Sequence, residues 1–107
     1  MQVPLDIAFE HMEPSEFVEE RIREHVAKLE RYCDRITSCR VVLDQPDHHK
    51  QKGNHFAVRI HIQVPNQPDV VVTRNPAEHA AHEDAYVALR DAFEAARKQL
   101  EHHKPRH

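Results

Sequence analysis

HFAVRIHIQV, residues 55–64, alternates without a fault. Phe56, Val58, Ile60, Ile62 and Val64 fall on one side of an extended chain, and His55, Arg59, His61 and Gln63 on the other. Neighbouring side chains of a strand point to opposite faces, so period two marks a strand with one buried and one wet face. What flanks it tells which kind of sheet it enters. Pro65-Asn66-Gln67-Pro68 reads as a turn, and Val70-Val71-Val72-Thr73 as the next strand. Upstream, Ile36 to Asp44 is β-branched, with Val41 and Leu43 sharing a face, and Gln45-Pro46 stops it. Between lies DHHKQKGNH, residues 47–55, with three histidines, two lysines and the only glycine of the chain, placed as a hairpin loop. Three strands with short connections predict an antiparallel meander.

Outside the meander the period changes. Val18, Ile22, His25 or Val26, Leu29 and Tyr32 or Cys33 recur at three and four, behind Pro14-Ser15 and an acidic first turn of Glu16 and Glu19. That predicts an amphipathic helix of about four to five turns. Ahead of it Val3, Leu5, Ile7 and Phe9 alternate as a further strand, whose Pro4 lacks an N–H to donate. A second helix is expected from about Asp84 to His103, with Ala85, Leu89, Ala92 or Phe93, Ala96 and Leu100 as its stripe and Pro105 barring continuation. The expected fold is α+β, in the order β-α-β-β-β-α, with a four-stranded mixed sheet. The first strand reaches the second through a helix, so that pair should be parallel. Both helices carry one stripe and should cover one sheet face. Arg40, Arg59, His61 and Gln63 should line the other. One domain, residues 1–104, and a short basic tail, 105–107, are expected.

The 107 residues carry a formal net charge of −3, which on its face argues against an anionic partner. The charge is unevenly spread. Ser15 to Glu30 holds Glu16, Glu19, Glu20, Glu24 and Glu30 against Arg21, Arg23 and Lys28, whereas bases outnumber acids from Arg35 to Arg74 and from Arg97 onward. A partner meets one face rather than the sum. Cys33 and Cys39 are too few for a disulfide framework. There is neither a secretory signal nor an apolar run near the roughly 20 residues of a membrane helix. A soluble cytoplasmic protein with free thiols is expected, with no membrane partner.

Three chemistries compete for the polar residues. Metal is suggested by 11 histidines, with His48, His49, His55 and His61 around the hairpin and His79, His82 and Glu83 at helical spacing. None has zinc-finger or metalloprotease spacing, so solvated histidines are expected and no metal or other cofactor. Catalysis finds no nucleophile elbow, no glycine-rich phosphate loop and no third group beside His25–Cys33 or Cys39–His61; neither an enzyme nor a small-molecule substrate is expected. The third is basic stripes. Arg21, Lys28 and Arg35 are spaced by seven with Arg31 between, and so are Arg90, Arg97 and Lys104 with Lys98 beside them. Seven residues is two turns, so each set follows one line on a helix and can track phosphates. Glu24, Glu94 and Glu101 stand three or four residues from these bases and offer the plainer reading, simple surface pairing.

Read together, three segments resemble the ribosome hibernation promoting factor / ribosome-associated inhibitor A family, also called sigma-54 modulation proteins. They are AKLERYCDRI (27–36), HKQKGNHFAVRIHIQVP (49–65) and HEDAYVALRDAFEAARKQLEHHK (82–104). The likeness runs over roughly residues 3 to 104, and points to the branch in which this domain precedes a cold-shock domain. The resemblance implies the same fold and a translation inhibitor. Such a protein binds small-subunit rRNA between head and body, near the tRNA and mRNA sites, and holds the ribosome idle. By position it implies rRNA contacts from Lys28, Arg31 and Arg35, from Arg97, Lys98 and Lys104, and more weakly from Lys50, Lys52 and Arg74; Arg90 joins them from its helix stripe. Arginine forks and lysine point charges suit RNA phosphates. The net charge and His102-His103 depart from the more basic family pattern. A monomer or weak dimer is expected. The alternative is a protein-binding module of the same fold that does not bind ribosomes.

Overall fold

The computed structural model describes residues 4–46, 56–74 and 84–103. Its elements are β1 (Leu5–Glu10), α1 (Glu16–Tyr32), β2 (Ser38–Asp44), β3 (Ala57–Gln63), β4 (Val70–Arg74) and α2 (Ala85–His103). They form one four-stranded sheet in the order β1-β2-β3-β4. β1 runs parallel to β2, and β2, β3 and β4 are the antiparallel meander. The fold is α+β, as the periodicities require.

Register fixes the two faces. Ile7, Val41, Ile60 and Val72 lie in one row across all four strands. That row, with Leu43, Val58, Ile62 and Val70, meets Ile22, Val26 and Leu29 of α1 and Leu89, Phe93, Ala96 and Leu100 of α2 in a single core. Both helices therefore cover one face. Ile22, Leu43, Ile60, Ile62 and Leu89 are fully buried, each contributing about 1.5–3 kcal/mol of transfer free energy. β2 starts two residues later than its β-branched run suggests. Ile36 is nevertheless buried, closing the core where α1 hands over to the sheet.

The helix starts follow from local chemistry. The Ser15 hydroxyl accepts from the Val18 N–H, and Asp84 accepts from the Tyr86 N–H at 2.8 Å, each satisfying a donor that has no partner within its helix. Cys33 closes α1 through its N–H to the Leu29 carbonyl. Among the described residues, two other than glycine take left-handed backbone. Asn66 (φ 63°) turns the chain between β3 and β4, and His11 (φ 58°) turns it after β1. Asn and His enter this region more readily than most residues. Among the described residues no helix is long and apolar enough to cross a membrane.

Candidate nucleic-acid interface

α1 and α2 lie side by side. The Arg21 guanidinium sits 4.7 Å over the Tyr86 ring, and one turn on, the His25 ring stacks on Phe93 at 4.7 Å and 8°. The pairs advance together along both helices, so the helices run in the same direction. Between them opens a cavity of about 330 Å³, with Arg21, Glu24, His25 and Lys28 on one wall and Tyr86, Val87 and Arg90 on the other. Three cations thus face one carboxylate, and that carboxylate, Glu24, pairs with Arg21 at 3.4 Å.

His25 forms the aromatic part of this wall. Its Nε2 is sealed from water and has no hydrogen-bond partner. Burial holds the ring below the ordinary histidine pKa; the nearby charges of Lys28 and Arg21 push the same way, with Glu24 opposing. The imidazole is therefore held neutral inside a cationic groove.

Of the ten bases expected to contact RNA, the seven described do not form one patch. Lys28 and Arg90 meet across the groove, together with Arg21, which the family pattern did not select. Arg31 lies in the last turn of α1 and Arg35 just beyond it, both exposed. Lys98 is exposed on α2, at the same end of the helix layer because the helices are parallel. Lys28, Arg31, Arg35 and Lys98 have no acidic partner among the described residues. Arg97 differs, lying between Glu94 at 3.6 Å and Glu101 at 3.5 Å, the plainer reading of its spacing. Arg90 keeps a loose 3.7 Å contact to Asp91. Arg74 ends β4, which lies parallel to β2, and so stands about 20 Å of strand from the end where Arg35 enters β2. Lys50, Lys52 and Lys104 lie outside the described residues.

The open sheet face holds bases too, but each is matched. Arg40 pairs with Asp6 at 3.5 Å, and Arg59 with Glu10 at 2.7 Å and Asp44 at 3.8 Å. His61 pairs with Asp69 and His11 with Asp44, at 2.8 and 2.7 Å. Asp44 is the one buried charged residue among those described, and its hydrogen bond and charge raise the pKa of His11. Register places Asp44 opposite Glu10 and Arg59 opposite Thr73, with Arg59 diagonal to Asp44 across the β2–β3 pair. Val42, between Ala8 and Arg59 in register, is buried here although no helix covers it.

Glu10, His11 and Asp44 bring one ligand atom each within 4.8 Å. This group was not legible in the sequence, because Asp44 joins Glu10 only through the parallel register. Arg59 already bonds both carboxylates, so a cation entering there displaces a guanidinium. Of the sequence-read histidine sets, His25 and His61 are described, and His48, His49, His55, His79 and His82 lie outside the described residues. Both cysteines are free; Cys39 is buried, and burial pushes its thiol up to about 12, out of the range of a nucleophile.

Residues 5–107 match the sequence profile of the family described as Sigma 54 modulation protein / S30EA ribosomal protein. No curated protein sequence matches the chain. Two solved structures are similar throughout. The Protein Y N-terminal domain of Thermus thermophilus superposes with a TM-score of 0.69 at 19% identity, over 95% of this chain and 98% of that one. A ribosomal subunit interface protein from Coxiella burnetii gives 0.69 at 10% identity, over 94% and 96%. At such identities the superpositions establish the fold.

Proposed function

Because the chain belongs to the Sigma 54 modulation protein / S30EA ribosomal protein family, we propose that it binds the small ribosomal subunit through rRNA and inhibits translation by holding the ribosome idle near the tRNA and mRNA sites. The observation that carries this reading is the helix layer. Lys28, Arg31, Arg35 and Lys98 are exposed there without acidic partners among the described residues, whereas the bases of the sheet face are already paired. Unpaired cations release counterions from a nucleic acid; paired ones first surrender a carboxylate. The total of −3 sums over the whole chain, whereas a phosphate meets these four cations locally. Side-chain contacts of this kind suit A-form RNA, whose backbone and shape are more accessible than its base edges.

Co-sedimentation with separated subunits over a series of salt concentrations tests the proposal. Binding should be to the small subunit and should weaken steeply with salt. Each base removed from the helix layer should flatten the logarithmic salt dependence by about 0.7–0.9. Binding that ignores salt, or none at all, overturns it.

A second reading has its own support. Phe17 is 81% exposed in the acidic first turn of α1, beside Glu16, Glu19 and Glu20. An apolar ring among acids suits a basic protein partner better than RNA. A salt-tolerant complex lost on Phe17→Ala, with ribosomes left unbound, would replace the first reading with this one.

A further inference from the structure

The groove between α1 and α2 is more specific than a basic surface. Arg21 and Lys28 come from one helix and Arg90 from the other, and all three converge on one cavity of about 330 Å³. Among the described residues Glu24 is the one carboxylate lining it, and it pairs with Arg21. Lys28 has no partner among the described residues. Arg21 is oriented by the Tyr86 ring beneath it. Beneath the cations lies the His25 imidazole, fixed against Phe93, with a ring nitrogen lacking any hydrogen bond.

We propose that this groove is a phosphate subsite, in which Arg21, Lys28 and Arg90 hold one phosphodiester of the bound RNA beside the imidazole of His25. The assignment rests on the rRNA reading above and deepens it, by naming the phosphate contact that spans both helices. It carries a consequence that a diffuse basic patch lacks. The groups facing His25 are Arg21, Glu24 and Lys28 from α1, and Tyr86 and Arg90 from α2. With the groove empty, burial first and then the charges of Lys28 and Arg21 hold the ring below its ordinary pKa. An anion seated among those cations cancels their repulsion and favours the protonated ring. Anion binding and His25 protonation then support each other, and each must promote the other by the same factor.

The test follows the His25 ring signals by NMR in the full chain. The probe is inorganic sulfate, titrated against chloride at equal ionic strength between about pH 5 and 8, where histidine titrates. Sulfate is expected to move the His25 signals saturably, to raise its protonation midpoint, and to bind more tightly as pH falls. Arg90→Glu should weaken sulfate binding by about tenfold, the loss of one charge-assisted contact, and Lys28→Ala should weaken it in the same direction. Arg23→Glu carries the same charge change, but Arg23 pairs with Glu19 and is absent from the groove wall, so it should leave the titration unchanged. A His25 response identical in sulfate and chloride, or equal effects of Arg90→Glu and Arg23→Glu, overturns the subsite. Ribosome co-sedimentation separates the two claims. Salt-sensitive binding that persists in Arg90→Glu, with His25 silent to sulfate, removes the subsite and leaves the rRNA reading intact. Saturable sulfate binding with no ribosome binding removes the RNA from the assignment and the rRNA reading with it.

Discussion

The two faces of this molecule carry similar basic side chains and dispose of them in opposite ways. On the open sheet, Arg40, Arg59 and His61 each touch a carboxylate, and the carboxylates are supplied by neighbouring strands in register. On the helix layer Arg21, Arg23, Arg90 and Arg97 touch carboxylates too, but Lys28, Arg31, Arg35 and Lys98 are exposed without such partners among the described residues. The histidines record the same contrast. His11 on the sheet side has its pKa raised by Asp44, while His25 in the helix groove has its pKa lowered by burial and by Lys28 and Arg21. A net charge of −3 averages over both faces and describes neither. What a face can bind is set by which charges are left after the fold has made its own pairs.

The largest effect should come from removing the layer that holds the helix bases in place. Leu89 is fully buried between α2 and the sheet, so Leu89→Ala should cost about 2–5 kcal/mol in chemical denaturation. If ribosome binding survived in a chain unfolded by such a change, the contrast between faces would be irrelevant to function. Next comes the contrast itself. Lys28→Glu with Arg31→Glu should weaken small-subunit binding by about a hundredfold, near the sum of two lost phosphate contacts. Arg40→Glu with His61→Glu should change it by much less.

The sheet pairs act on stability instead. Arg59→Met leaves Asp44, a buried carboxylate, with His11 alone, and should lower the melting temperature by a few degrees. The smallest effect is the pH dependence of His11. Its folded pKa lies above the unfolded value, so its pairing with Asp44 stabilises the fold fully below about pH 6.5, and that contribution is lost as pH rises through the folded pKa. His11→Gln should therefore be less stable than the parent at pH 5.5 and equal to it at pH 8.5 in thermal melts. His25 has the opposite sign. Its folded pKa is depressed, so falling pH below the unfolded value favours the unfolded chain. Replacing it should make the acid side of the melting profile flatter.

Much of the fold was legible because burial imposes period. The alternation of Phe56 to Val64 and the three-four stripe from Val18 to Leu29 each admit one buried face, and these faces can meet only as helices on a sheet. Strand ends were less legible. The β-branched run from Ile36 suggested pairing that begins only at Ser38, since Ile36 is buried by closing the core rather than by joining the ladder. The candidate interface was legible in composition and not in pairing. Spacing treats Arg97 and Lys98 alike, yet Arg97 reaches two glutamates and Lys98 none among the described residues. Arg21 and His25 entered the groove through a helix-to-helix register that no local pattern encodes, and Asp44 met Glu10 through a parallel pairing across 34 residues of chain.

The central claim is that the helix layer, and not the sheet, meets the ribosome. It is tested most directly by co-sedimentation of three full-length chains with purified small subunits at low and high salt. They are the parent, Lys28→Glu/Arg31→Glu, and Arg40→Glu/His61→Glu. The account predicts that the parent and the sheet variant sediment with the subunit at low salt and are released at high salt, while the helix variant stays in the supernatant throughout. Loss of binding in the sheet variant with retention in the helix variant would contradict it.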